Sequence, residues 1–460
     1  MYTFFFFYTL ILCFIFYNNY NYIRILSFFY FLSFFLFSLF LTLNINKSIF
    51  GYQIILKYYS LFFFEISYTF GIDSISIFFI ILCCFIIIFC LLLFWYLKYL
   101  FNLYVFFLFL SLFILINIFS SLDLFFFFVF FESIIIPMYF IIGIWGSRIR
   151  KIYASYSFLM YTLFGSIFVI INILMILSNL GSTSFDYILN INFYSNRLLF
   201  LLLFFFIGFG VKVPIMPLHI WLPEAHVEAP TTGSIILASI LLKLGTYAFI
   251  RLLLGLFFYT ADDIIFFIYI ISLFSFTYAS MTALSQIDTK KIIAYSSVAH
   301  MNFSLLGLFS NTLLGLSGAF FFMFGHALTS GALFLCIGII YDRYKTRLVF
   351  YLSSLVTFMP ILSICMFILI LSNFGFPGTV NFVGELLTSV GCFVYSNFFF
   401  FLCTYGMILT LMYSLILYSK IFFGTFQLLF IRYYSECSRL EFFSLFPFFF
   451  LFYFLDCTLL

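Results

Sequence analysis

Apolar residues fill the chain in blocks of about twenty, parted by short polar stretches, from one end to the other. Blocks of that length match helices that cross a hydrocarbon layer about 30 Å thick. Runs such as Phe125 to Phe131 show no alternation of apolar and polar positions, so they do not read as strands of a membrane barrel. The pattern predicts an all-α polytopic membrane protein with about fourteen transmembrane helices. They are placed at residues 4–18, 23–43, 72–97, 101–120, 122–144, 153–178, 197–226, 229–255, 262–284, 291–310, 313–341, 359–397, 398–424 and 441–458.

Two of these spans carry helix breakers near their middle. Pro214 and Pro217 interrupt the seventh, and Gly375, Pro377 and Gly378 interrupt the twelfth. Proline removes a backbone donor and clashes with the preceding turn, so each span is expected to cross as a broken helix. Broken spans at corresponding places in two halves point to inverted repeats. The expected organisation is N-terminal helices over 1–100, five-helix repeats over 101–256 and 257–424, and a C-terminal helix within 425–460. Residues 348–358 are expected to form an interfacial segment leading into the twelfth span.

Basic residues give the orientation. Arg24, Lys98, Arg148, Arg150, Lys151, Lys290, Lys291, Arg343, Lys345, Arg347, Lys420, Arg432 and Arg439 follow odd-numbered spans. Only Lys47, Lys57, Arg197 and Arg251 follow even-numbered ones. Basic loops stay on the cytoplasmic or matrix side, so both termini are expected on the opposite side. A double crossing by the seventh span would reverse this parity.

Composition narrows the chemistry. With 66% hydrophobic and 7% charged residues, few groups remain to recognise an organic substrate. The 83 Phe and 34 Tyr are read as mutational bias of an AT-rich genome, which points to an organelle. The first block lacks a basic start and a small-residue cleavage site, so it reads as a span rather than a removable signal. The ten cysteines are scattered without a CxxC pair, which argues against iron–sulfur or zinc ligation. His226-Val227-Glu228 echoes the zinc deaminase signature, but the P-C-x-x-C partner is absent. No glycine-rich nucleotide loop follows a strand.

Ionisable groups at membrane depth therefore stand out. They are Glu132, Lys212, Lys243 and Glu385, with His300 and His326 in the tenth and eleventh spans. Each has a competing structural reading. A lysine can snorkel to the interface, although Lys243 lies mid-span. Glu132 can bond a neighbouring helix, and a histidine can pack neutral against a hydroxyl. Taken together, two acids, two lysines and two histidines at similar depth suggest a proton relay. The cluster His219, Glu224, His226 and Glu228 beyond the first break is expected to line or seal a channel mouth, on the side away from the basic loops.

The stretch VKVPIMPLHIWLPEAHVEAPTTGSIILASILLKLGTYAFIR strongly resembles the antiporter-like membrane subunits of respiratory complex I. SQIDTKKIIAYSSVAHMNFSLLGL, FESIIIPMYFIIGIWG and GFPGTVNFVGE agree with it. These motifs run from about residue 122 to 397, and the two ends carry little family signal. The resemblance implies a proton-translocating subunit in a mitochondrial inner membrane, both termini on the intermembrane-space side. It implies a Glu132–Lys212 pair, Lys243 as the central carrier, His300 and His326 on the axis and Glu385 at the exit. By the same resemblance, sister subunits usually carry lysine where this chain has Glu385. It also implies no cofactor in this chain, with NAD, FMN, iron–sulfur clusters and ubiquinone elsewhere in the complex. Expected partners are neighbouring antiporter-like subunits and lipids, and no nucleic acid. A multisubunit cation/proton antiporter shares these motifs, and a non-pumping membrane scaffold is the structural alternative.

Overall fold

The structure is a computed structural model that describes residues 20–45, 51–58, 68–95, 99–189, 195–255, 262–424 and 436–458. Among the described residues, nine helices are long and apolar enough to cross a membrane. The expected polytopic helical architecture is thus met. The span expected at 4–18 lies outside the described residues, as do Lys47, Lys98 and Arg432. The chain separates into two compact units, Met1–Gly208 and Phe209–Leu460.

The first unit starts with α1 (Tyr20–Asn44), followed by a hairpin of β1 (Ile54–Tyr58) and β2 (Tyr68–Ile72). The strands are antiparallel with Ile54 opposite Ile72. This hairpin is an addition to the all-α reading. Its strands are five residues each, too short to register against the surrounding apolar blocks. α2 (Ser74–Leu93) begins with a reciprocal cap. The Asp73 carboxylate accepts from the Ser76 amide at 2.8 Å, and the Asp73 amide donates to Ser76 Oγ at 2.9 Å.

α3 (Phe101–Ser120) leads to α4 (Leu124–Ser133) and α5 (Ile135–Trp145). α4 and α5 together fill the span expected at 122–144, and they part at Ile134. Pro137 has no amide to offer the Ser133 carbonyl, and the Met138 to Ile134 bond is stretched to 3.5 Å. The discontinuity therefore falls two residues after Glu132. α6 (Lys151–Leu180) ends at Gly181, whose φ of +72° suits a left-handed cap. α7 (Phe185–Leu189) and α8 (Ser195–Lys212) follow, and α8 runs past the unit boundary.

The second unit contains α9 (Trp221–Glu228), α10 (Thr231–Leu254), α11 (Asp262–Ser285) and α12 (Thr289–Leu308). It continues with α13 (Leu313–Tyr344), α14 (Pro360–Asn373), α15 (Val380–Tyr395), α16 (Asn397–Phe422) and α17 (Arg439–Thr458). α13 is its axis, packed by α10, α12, α14, α15 and α17. Small residues permit this crowding. A Cβ on Gly318 would sit 2.5 Å from the Thr388 amide nitrogen, so only glycine lets α15 approach there. α12 differs in character. It is not among the long apolar helices, yet Ser296, Ser297, His300, Asn302 and Ser304 are all buried along it. Its polar groups are enclosed by α11 and α13 rather than by lipid. Residues 348–358, expected to be interfacial, contain two short 3-10 turns, Val349–Tyr351 and Leu355–Thr357.

Candidate functional site

The first break lies where the two prolines place it. α8 stops at Lys212, residues 213–220 are turns, and the chain becomes helical again at Trp221. The backbone groups released there find partners in other elements. Asn302 Nδ2 donates to the Pro214 carbonyl at 3.2 Å, and Trp221 Nε1 donates to the Val211 carbonyl at 3.0 Å. Buried backbone groups left unpaired would be costly, so these two side chains stabilise an interruption that lipid could not tolerate. Lys212 is buried beside it. Gly245 brings α10 onto the same spot, since a Cβ there would meet Val213 Cγ2 at 2.5 Å.

Lys243 sits two residues before that glycine and is wholly buried. Its Nζ donates to the Ala238 carbonyl at 2.7 Å and lies 2.8 Å from His326 Nδ1. A π-turn at Leu237–Leu241 immediately precedes it. Such a turn widens the ladder by one residue and exposes carbonyls to a side-chain donor, which is how Ala238 comes to face Nζ. Which of these two atoms donates depends on the His326 tautomer, and His326 Nε2 has no hydrogen-bond partner among the described residues.

His300 continues the line from α12. Its ring centroid is 5.4 Å from that of His326, and its Nε2 is 3.2 Å from the Tyr413 hydroxyl. Both histidines are at most 2% exposed, so snorkelling or solvation does not explain them. Lys243, His326 and His300 are therefore brought together. Tyr413, the next contact, was not singled out by sequence. Nothing in a chain with 34 tyrosines marks one of them.

Glu385 is on α15, past the second break. Gly375 has φ +67° there, and a Cβ on it would fall 2.1 Å from Glu385 Oε2. The carboxylate thus rests against the bare backbone of the break. Asn381 Nδ2 donates to the Ser372 carbonyl at 2.8 Å, repeating the role of Asn302 at the first break. Glu385 is partly exposed in the isolated chain. Glu132 belongs to the first unit, where it is half-buried just before the α4–α5 discontinuity.

The residues beyond the first break need a correction. They were expected on the side away from the basic loops, but α9 ends among basic groups. Lys290 Nζ donates to the Ala229 carbonyl at 2.9 Å, and Arg347 Nη1 donates to the Val227 carbonyl. These cations close the carbonyl end of α9, where they also complement its dipole. His226 is fully buried and stacked on Phe334 at 4.7 Å, and Glu228 is buried as well. This end is therefore packed shut. No grouping of three or more metal-ligating side chains occurs among the described residues.

Residues 121–412 match the family model described as NADH:quinone oxidoreductase/Mrp antiporter, TM. A curated relative from Acanthamoeba castellanii, NADH-ubiquinone oxidoreductase chain 4, is 43% identical over 83% of this chain and 77% of its own length. Its namesake from Marchantia polymorpha is 44% identical over 84% and 78%. A chain in the solved structure of respiratory complex I from Thermus thermophilus with bound NADH superposes with a TM-score of 0.84. It is 25% identical, with 94% of this chain and 90% of that chain covered.

Proposed function

The chain belongs to the NADH:quinone oxidoreductase/Mrp antiporter transmembrane family, and we propose that it is the chain-4 subunit of a mitochondrial NADH:ubiquinone oxidoreductase, moving protons along its membrane arm. One observation carries the reading. Lys243, His326 and His300 form a buried polar line inside an apolar helical unit, with Nζ 2.8 Å from Nδ1 at its centre. Isolated ionisable groups at such depth are costly, and a line of them is suited to passing protons. Glu132 and Lys212 act on the uptake half, and Glu385 releases the proton after the second break. Moving one charge against the membrane potential costs about 2.3 kcal/mol per 100 mV. A change of about 3 units in a carrier's pKa corresponds to about 4 kcal/mol, which is enough for the step.

The redox groups belong to other subunits of the complex. Neighbouring antiporter-like subunits and lipids cover the exposed apolar faces, and both termini face the intermembrane space. The free-standing cation/proton antiporter shares the buried line. Purification of the native assembly separates the two, because co-purifying flavin and iron–sulfur centres mark the oxidoreductase. The functional test is Lys243→Ala in the assembled complex. NADH-driven quinone reduction and proton transport into vesicles should fall together by at least about tenfold. Normal transport at normal assembly would refute the reading.

A further inference from the structure

The segment between α3 and α4 is extended and paired on both of its sides. Ser121 bridges to Phe70 of β2, and the Leu122 amide donates to the Thr69 carbonyl at 3.1 Å. Asp123 bridges to Ser184, the Leu124 amide donates to the Thr183 carbonyl at 2.9 Å, and the Phe185 amide donates to the Leu122 carbonyl at 3.0 Å. The hairpin is thus continued through residues 121–124 to the turn after α6. Asp123 stands at the centre of this join and is wholly buried. Its Oδ1 accepts from the Phe125 amide at 2.9 Å, which caps α4, and from Thr183 Oγ1 at 2.6 Å. A cap alone needs neither burial nor a hydroxyl from a segment 60 residues away. α4 is ten residues long, and Glu132 stands about 13 Å along its axis from Asp123. Beyond Glu132 the ladder weakens, with the Ile134 to Phe130 bond at 3.3 Å and no amide on Pro137. The firm end of α4 is therefore the one that Asp123 holds.

We propose that Asp123 is a positioning residue for Glu132. With Thr183 it clamps the head of α4 to the turn that ends α6, and so sets the height and rotation at which the Glu132 carboxyl stands. The inference rests on the proton-transfer reading of Glu132. Asp123 acts through the helix and exchanges no proton itself. Proton transfer needs donor and acceptor within hydrogen-bond reach, about 2.6–3.2 Å. A displacement of about 1 Å, caused by a change far from the chemistry, can cost about a hundredfold in rate. A clamp at the head of a short helix is a means of holding that distance at its other end. An Asp123 that served folding alone would instead govern the yield of assembled complex and leave the rate of each assembled complex unchanged.

The test uses the assembled complex in membrane vesicles, with NADH-driven quinone reduction and proton transport normalised to assembly. Asp123→Ala removes both bonds and should lower the two rates about tenfold or more. Thr183→Val keeps the shape, removes only the hydroxyl and should lower them about threefold. Asp123→Asn retains an oxygen for the amide and the hydroxyl, so it should restore most of the rate. In a Glu132→Gln background Thr183→Val should add no further loss, whereas an independent packing effect would multiply with it. Should Asp123→Ala fail to assemble, Thr183→Val and its double variant decide. Normal rates per assembled complex in Asp123→Ala or Thr183→Val, or multiplied losses in the double variant, would overturn the positioning role. So would an Asp123→Asn as defective as Asp123→Ala, because the carboxylate would then be exchanging protons. Glu132→Gln measured alone keeps the two readings apart. If it is defective while Thr183→Val is normal, only the clamp is lost. If it transports normally, Glu132 is off the path and Asp123 has nothing to position.

Discussion

At the scale of single residues, burial separates Lys243 from Arg251. Lys243 is wholly buried and aimed at a histidine, whereas Arg251 lies eight residues on, about 12 Å along the helix. Arg251 Nε donates to the Tyr247 hydroxyl at 3.0 Å and packs over that ring, as an interfacial anchor does. Arg251→Ala should therefore leave proton transport within about twofold of normal, while Lys243→Ala loses about tenfold or more. Equal losses at equal assembly would show that Arg251 is part of the path. Glu385 admits a similar contrast. Glu385→Gln fills nearly the same volume but cannot exchange a proton, so coupled activity should collapse with assembly kept. Glu385→Lys should retain part of it, because lysine also exchanges protons. The glycine beneath the carboxylate is equally constrained. Gly375→Ala would need a Cβ 2.1 Å from Oε2 at a positive φ, so it should impair transport by displacing Glu385.

At the scale of elements, both interruptions were legible because proline and glycine are strong local punctuation. The burial of Lys243 and of the two histidines was legible from ionisable groups set within apolar runs. What escaped is instructive. The π-turn before Lys243 uses ordinary helix formers, Leu237 to Leu241, and leaves no mark in composition. Asn302 and Asn381 act across 88 and 9 residues of sequence, respectively, and only folding shows which carbonyl each one meets. The side on which α9 ends was misjudged because the residues past the first break were set away from the basic loops, although basic residues follow odd-numbered spans and this is the seventh. In the fold Lys290 and Arg347 are buried on carbonyls of residues 229 and 227. The two asparagines yield a prediction at this scale. Asn302→Leu keeps the size but abandons the Pro214 carbonyl, at a cost of about 1–3 kcal/mol for a buried unpaired group. The first break should loosen, which would show as faster hydrogen exchange at residues 211–221. Unchanged exchange there would mean that the break is held by the backbone alone.

At the scale of the whole molecule, the ends carry least family signal, yet the C-terminal segment is tied firmly into its unit. Arg343 Nη1 and Nη2 grip the Glu441 carboxylate at 3.1 and 2.7 Å, and Nη2 also donates to the Glu436 carbonyl at 2.9 Å. Glu436 Oε1 in turn accepts from the Ile361 and Leu362 amides at 3.1 and 3.3 Å, at the start of α14. One arginine therefore couples the end of α13, the start of α17 and the first half of the broken pair that leads to Glu385. The side chains of Arg343 and Glu441 are 10% and 23% exposed. Breaking the pair should then cost roughly 2 kcal/mol, between the values for exposed and buried bridges. Arg343→Gln is expected to raise hydrogen exchange at residues 436–441 and at the first turn of α14, and to lower the yield of assembled complex. The exchanged pair, Arg343→Glu with Glu441→Arg, should recover much of both, since geometry and net charge are conserved. A clasp that served only local packing would loosen residues 436–441 without disturbing α14. Exchange at Ile361 and Leu362 is therefore the measurement that decides whether the C-terminal segment steadies the half-helix leading to Glu385.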